Sequence, residues 1–330
     1  FGSSFWAQVP IVLFARMGNL LGSVKWWRRD RVPELRSLDL EGIAAHLQAA
    51  GNVVVLLGAG ASTSCGIPDF RTPGTGLYDN LQKYDLPEPE AIFDVGFFQR
   101  NPAPFYELVA ELWPGKHRPS ASHCFVRLLH DKGCLRRCYT QNIDSLETAA
   151  GLPAEKLVAA HGNMDSCHVA GRSRAVPVDE FQEALLQGRE GWERLRAKYG
   201  GLVKPSIVFF GESLPERFFG LQSSDLSACD LLVVVGTSLA VRPFSDLVGK
   251  VRQGCPRLLV NRDKVGLARG AGDEEDSPSG FGRSLENGFR FDLAGNRTDV
   301  FFPGDCDAGL MRLCELCGWG QDLQKLVDNR

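Results

Sequence analysis

Five consecutive apolar residues, Val53–Leu57, run straight into Gly58-Ala59-Gly60, and this junction restricts the possible folds more than any other part of the chain. Three of the five are β-branched, and an unbroken apolar run bounded by glycine reads as a strand buried on both faces. A strand leading into a tight glycine turn and a small-residue helix start presents backbone N–H groups to an anion, as dinucleotide-binding units do. The third glycine of the ordinary fingerprint is missing, however. Thr63 stands in its place and the next glycine is Gly66. Ile67-Pro68-Asp69-Phe70-Arg71, then Gly74 and Gly76, arrive where the helix should continue, so this segment is expected to form a loop over the ligand.

Leu135–Thr140, ending in Gln141-Asn142, and the short Leu157–Ala160 read as strands, as do the apolar runs Val203–Phe210, Leu231–Val235 and Arg257–Val260, and helical spacing at Leu38–Ala50, Ser122–Lys132, Phe181–Lys198 and Cys306–Val327 separates them. Strands alternating with helices predict an α/β fold, a Rossmann-like doubly wound parallel sheet. Helical pieces punctuated by Pro102, Pro104 and Pro114 fill residues 74–115, and residues 162–202 turn polar. These two insertions are expected to form a smaller lobe beside a larger one made of 36–73, 116–161 and 203–330. Residues 1–35, basic and nearly free of acid, read as a leader that is either disordered or a mitochondrial-type targeting segment.

A formal net charge of −3 gives no electrostatic footprint for nucleic acid, so no direct nucleic-acid contact is expected. The apolar stretch Phe5–Ala15 is too short for a membrane span, and none is predicted. Ten cysteines, scattered and mostly within apolar runs, point to a reducing compartment and to core thiols. His161 follows the Leu157–Ala160 strand and precedes Gly162, where a ligand can approach closely. Its neutral imidazole suits a general base near physiological pH, although a lone histidine is more often a solvated or core residue.

The motifs GAGAS…GIPDFR, QNID at Gln141–Asp144, His161-Gly162, VKPSIVFFGE at Val203–Glu212, GTS at Gly236–Ser238 and NRD at Asn261–Asp263 stand in an order and spacing that resemble the sirtuin family of NAD-dependent protein lysine deacylases. The resemblance covers roughly Leu38 to Leu326. It implies NAD as cofactor, with the pyrophosphate against Gly58, Ala59, Gly60, Ala61, Ser62 and Thr63, and nicotinamide near Ile67, Asn142, Ile143 and Asp144. Asp69 and Arg71 would order the loop, Phe70 would shield the ribose, and Gln141 would contact it. Gly236, Thr237 and Ser238 would meet the adenosine half, Asn261, Arg262 and Asp263 the second ribose, and the backbone of Cys306 the adenine. His161, with Asn142, would be catalytic, His161 removing a proton from a ribose hydroxyl. The products implied are free lysine, nicotinamide and O-acyl-ADP-ribose. Acylated proteins would be the partners, laid as an extended strand along Val208, Phe209, Phe210, Gly211 and Glu212. No arginine occurs in Thr72–Leu86, so a neutral acyl group is expected rather than succinyl.

The sequence departs from the family in the 162–202 segment. The family's structural zinc needs two cysteine pairs, and here only Cys167 is present, with Arg196 and Tyr199 where the second pair belongs. This is a degenerate zinc module, zinc is expected to be absent, and no residue is assigned to metal. Cys314-x-x-Cys317 has zinc spacing but lacks a second pair and reads as core. Two other readings stay open: an NAD-binding scaffold with weak or no activity, and, from the Rossmann pattern alone, a hydride-transferring dehydrogenase. Mono-ADP-ribosyl transfer from the same cleft is a possible side activity. The long acidic stretch between Asp263 and Cys306 resembles the family's cytosolic branch, which favours a cytoplasmic location over a mitochondrial or partly nuclear one. Nothing in the sequence sets the oligomeric state.

Overall fold

The structure, a computed structural model, describes residues 35–330 except Arg71, Pro73, Asp85, residues 269–284 and Glu286. The leader and the acidic loop around 271–282 therefore lie outside the described residues. Among the described residues nine strands run in chain order as β1 (Val53–Leu57), β2 (Leu135–Thr140), β3 (Leu157–Ala159), β4 (Gly162–Val169), β5 (Ala175–Val176), β6 (Val203–Ile207), β7 (Leu231–Val235), β8 (Arg257–Asn261) and β9 (Asp299–Pro303).

Six of them form one parallel sheet in the order β3-β2-β1-β7-β8-β9, the doubly wound α/β arrangement expected. All five β1 side chains are buried, and alternation divides them between two cores. Val53, Val55 and Leu57 join Val233 and Val260 beneath the helices Leu40–Leu47, Ala121–Asp131 and Cys306–Leu316. Val54 and Leu56 pack on the opposite face with Val234, Leu259, Phe218 and Phe244. The continuous apolar run is thus what a parallel strand covered on both sides requires.

The order reverses between β1 and β7, and the glycines explain how closely their loops meet there. The Gly60 amide donates to the Gly236 carbonyl at 2.7 Å, and a Cβ on Gly60 would lie 2.8 Å from the Gly236 Cα. No side chain larger than hydrogen fits.

Three expectations change. First, Val203–Ile207 does not extend the main sheet. It pairs antiparallel with β4, which also pairs with β5, making a separate three-stranded sheet in the order β5-β4-β6. Pro205 supplies the reason: it cannot donate to a central ladder and is tolerated on an edge strand. Second, the helix expected over Phe181–Lys198 is a hairpin of two, Val178–Leu186 and Gly188–Tyr199, because Gly188 takes a left-handed φ of 61°. Third, the C-terminal helix breaks at Gly318 (φ 73°) into Cys306–Leu316 and Gly320–Asp328. The small sheet, the hairpin and the helix Ala103–Leu112 share one core, in which Tyr106 meets Trp192 at 4.8 Å between ring centroids and Trp113 meets Phe181 at 5.7 Å.

Candidate active site

The carboxyl ends of the parallel strands, where ligands collect in such sheets, open into a cleft of about 1100 Å³. The β1 turn contributes Ala59, Gly60 and Thr63, the β2 end Gln141, Asn142 and Ile143, and the β3 end His161. Gly236, Thr237 and Ser238 follow β7, Asn261 ends β8 with Arg262 and Asp263 after it, and Cys306 follows β9. The opposite wall is Val208–Glu212 beyond β6, with Asp69 and Phe70 from the loop. Five expected residues stand behind this surface. Gly58, Ala61, Ser62, Ile67 and Asp144 are buried and do not line the cleft. Arg71 is outside the described residues.

The β1 loop differs from a simple anion cradle. It forms two short 3₁₀ turns, Ala59–Ala61 and Thr63–Cys65, instead of a continuing helix. The amides of Gly58, Gly60, Ala61 and Ser62 are already committed, to Val235, Gly236, Gly58 and Ala59 carbonyls respectively. The glycines here serve the approach of β1 and β7 loops at least as much as any ligand. The segment after Gly66 is a loop, as expected, and it is internally tied. Thr72 donates its amide to Asp69 Oδ1 at 2.7 Å, and Leu77 and Tyr78 amides donate to Asp69 and Phe70 carbonyls. The Phe70 ring sits 5.7 Å from Tyr78 and 6.0 Å from Phe93. Arg262 reaches from the β8 end to Thr72 Oγ1 at 3.3 Å.

His161 has a defined tautomer. Its Nδ1 lies 3.1 Å from the Gln141 carbonyl, which can only accept, so in the neutral ring Nδ1 holds the hydrogen and Nε2 the lone pair. Burial depresses its pKa, and the Gln141 hydrogen bond opposes that shift only in part. The imidazole is therefore kept neutral and basic at Nε2. Gly162 places it: φ is 69°, and a Cβ would stand 1.7 Å from the Ser206 carbonyl oxygen. The His161 carbonyl accepts the Val208 amide at 2.8 Å, which ties the histidine to the opposite wall.

Asn142 is 4 % exposed and donates from Nδ2 to the Gly58 carbonyl and Ser62 Oγ, both at 3.2 Å. Its buried Oδ1 accepts from no described group. An unmet acceptor on a cleft wall fits a ligand that brings an N–H donor. Ser62 also donates to Asp144 Oδ2 at 2.7 Å, so the buried residues behind the wall hold Asn142 and Asp144 in register. Gln141 Nε2 donates to Thr237 Oγ1 at 2.8 Å, bridging the β2 and β7 ends. The Cys306 thiol, pushed up to about 12 by burial, is no nucleophile, in keeping with a backbone role.

Sequence reasoning passed over Tyr78, Phe93 and Glu147. Tyr78 and Phe93 line the cleft beside Phe70 but looked like ordinary core aromatics in a helical insertion. Glu147 is 1 % exposed, with Oε1 unpartnered among the described residues and its pKa raised by burial and by Asp144. Its position three residues after Asp144 on a short helix was the available signal.

The fold and the site define an α/β protein with a dinucleotide-sized cleft at its topological switch point and a buried neutral histidine in the cleft wall. A family model described as the Sir2 family matches residues 58–243. NAD-dependent protein deacetylase sirtuin-2 of Danio rerio is 45 % identical over 298 residues, 89 % of this chain and 76 % of that protein. NAD-dependent protein deacetylase hst2 of Schizosaccharomyces pombe is 42 % identical over 294 residues, covering 88 % of this chain and 80 % of its own. NAD-dependent protein deacetylase sirtuin-3 of Mus musculus is 45 % identical over 294 residues, with the same coverages. The chain belongs to the Sir2 family.

The residues present do not fit the family's structural zinc. Cys167 is 3 % exposed within the small-sheet core, and among the described residues no group of three or more His, Cys, Asp or Glu gathers around a possible ion.

Proposed function

We propose that this chain is an NAD-dependent protein lysine deacetylase, with acylated proteins as substrates and His161 as its general base. The observation that carries the proposal is the fixed tautomer of His161, buried and neutral, with its basic Nε2 in the wall of a dinucleotide-sized cleft. When bound, NAD would supply an electrophilic ribose carbon, which exchanges its bond to nicotinamide for one to the acyl oxygen, and a ribose hydroxyl that takes over the acyl group, water completing the release of free lysine and O-acyl-ADP-ribose.

The residues divide the remaining tasks. His161 Nε2 takes a proton from a ribose hydroxyl, and its Nδ1–H stays on the Gln141 carbonyl throughout. Asn142, whose buried Oδ1 has no partner among the described residues, would help hold the nicotinamide, with Ser62 and Asp144 keeping it oriented. Phe70, packed against Tyr78 and Phe93, excludes water from the reacting face. Ser238, Asn261, Asp263 and the Cys306 backbone receive the adenosine half. Val208–Glu212 receives the peptide, and the aromatic surroundings favour a neutral acyl group. All ten cysteines are free thiols, which fits a reducing compartment, and we favour the cytosol.

The test is to incubate the purified protein with an acetylated peptide, with and without NAD, and to measure free nicotinamide and acetylated ADP-ribose. His161→Ala should lower turnover by at least about 10²-fold. Undiminished turnover in that variant, or deacetylation without NAD, overturns the proposal. NADH appearing at the expense of NAD would indicate hydride transfer instead.

A further inference from the structure

Lys204 is 1 % exposed, in a strand beside the cleft, and lysine is almost never this buried unless paired. Its Nζ donates to the Ile207 carbonyl at 2.6 Å and to Glu212 Oε2 at 3.1 Å, and it stands 4.4 Å from the centroid of the Phe209 ring. The same Glu212 oxygen accepts the Phe209 amide at 2.8 Å, while the Glu212 amide donates to the Phe209 carbonyl at 2.9 Å. The turn after β6 is therefore closed twice, once by backbone and once by a carboxylate held on a buried cation.

This turn is where the chain leaves its sheet. β6 ends at Ile207, and Phe210 next pairs with a different segment, its amide donating to the Phe93 carbonyl at 2.8 Å. Between these anchors the path is set by Val208, bonded to the His161 carbonyl, by the buried Phe209 ring, packed edge-on against Phe93, Phe98 and Phe105, and by the Lys204–Glu212 pair. Glu212 itself lines the cleft. Without the cation its carboxylate gains by turning to water, which releases the Phe209 amide and lets the wall flatten. The loops that would hold the dinucleotide hang from β1, β2, β7 and β8 of the other sheet, and among the described residues none shares a hydrogen bond with this pair.

We propose that Lys204 and Glu212 form an internal brace that shapes Val208–Glu212 for an acyl-lysine peptide, so that Lys204 is a positioning residue for the peptide and not for the dinucleotide. The inference rests on the deacetylase reading for the identity of its ligand.

Lys204→Met, Glu212→Gln and the double variant are compared with the wild type by KM for an acetylated peptide and KM for NAD. The brace predicts a rise of about tenfold in peptide KM in each single variant, an NAD KM within about twofold, and a double variant no worse than the worse single. Unchanged peptide KM, a parallel rise in NAD KM, or multiplying effects in the double variant would overturn it. A general loosening of the fold raises both constants and so is distinguished. If Lys204→Met fails to fold, Glu212→Gln carries the comparison alone. If the wild type shows no turnover, the deacetylase reading falls, and calorimetric Kd values for the acetylated peptide and for NAD decide the brace by the same ratios. Absence of peptide binding to the wild type would overturn both.

Discussion

Gly162→Ala should be far more damaging than a glycine-to-alanine change usually is, and a second glycine isolates the reason. Gly162 and Gly171 have nearly the same backbone conformation, φ 69° and 70°. Placing alanine in this left-handed region costs about 1–2 kcal/mol at either position. Around Gly171 an added Cβ meets nothing within 4 Å, whereas at Gly162 it would lie 1.7 Å from the Ser206 carbonyl oxygen and 2.8 Å from its carbon. These are backbone atoms with no rotamer to escape into. Restoring ordinary contact means β4 and β6 must part by more than about 1 Å, which breaks the Gly162–Ile207 pairing and stretches the 2.8 Å hydrogen bond from Val208 to His161. At about 1 kcal/mol for each backbone hydrogen bond, Gly162→Ala should cost about 3–4 kcal/mol in total, roughly 2 more than Gly171→Ala. Urea denaturation followed by tryptophan fluorescence measures the difference, since Trp113 and Trp192 both lie in the affected core. Displacing His161 by this distance should also lower deacetylation by about 10²-fold, and Gly171→Ala should leave it intact. Equal denaturation midpoints for the two variants would refute the steric argument. A stable but inactive Gly162→Ala would show that strain reaches the histidine without reaching the sheet.

The pH dependence follows from the same residue. Burial lowers the His161 pKa, so the acid limb of kcat/KM should fall below the ordinary histidine value of about 6.5, and a limb above it would contradict the assignment. The sign for stability agrees: the unfolded chain binds this proton more readily, so the His161 contribution is lost as pH falls through about 6.5 towards the folded pKa, and His161→Gln should lessen the slope in that window, leaving the part that comes from His123 and His168, whose pKa values burial also lowers. Chelation gives an independent expectation. Prolonged treatment with a strong zinc chelator should leave both the melting temperature and turnover unchanged, and stoichiometric zinc in the purified protein by elemental analysis would refute this.

What could be read from the sequence depended on how directly a residue's neighbours are implied by its own chemistry. β1 and β7 can be bounded to the residue because both faces of each are covered, which forces contiguous apolar runs. β9 was missed: Asp299–Pro303 starts with a carboxylate and ends with proline, yet Asp299 is buried because Arg257 meets it at 2.6 Å. β4 was missed because the pairing register shifts between Gly162 and Cys167, so Met164 and Cys167 break strict alternation. β6 is legible as a strand but its sheet is not, since apolar character does not name a partner and Pro205 alone points to an edge. At the site, motif residues at strand ends were legible as a group. Which of them face the cleft was not: Ser62 and Asn142 look equivalent in sequence, and only the crossing of the β1 and β2 ends puts one behind the other.

The core shared by the small sheet and the helical hairpin bears on how a departure from the family pattern at Cys167, Arg196 and Tyr199 would be tolerated. A zinc site holds a polar segment together through four ligands, and a segment that lacks them must find the same free energy in packing. Here Phe181, Leu185, Leu195 and Tyr199 of the helical hairpin are buried against Tyr106 and Trp113, and Gly191 allows the two hairpin helices to touch, a Cβ there lying 2.2 Å from the Ala184 carbonyl. The Tyr199 hydroxyl donates to Glu180 at 2.6 Å, closing the hairpin where its polar ends meet. This core lies directly under β4 and β6, which lead respectively from His161 and to Val208. Keeping those two strands in register is the requirement that the chemistry places on the lobe. The buried apolar core of the hairpin holds them from below, and Gly162 lets them come as close as they do.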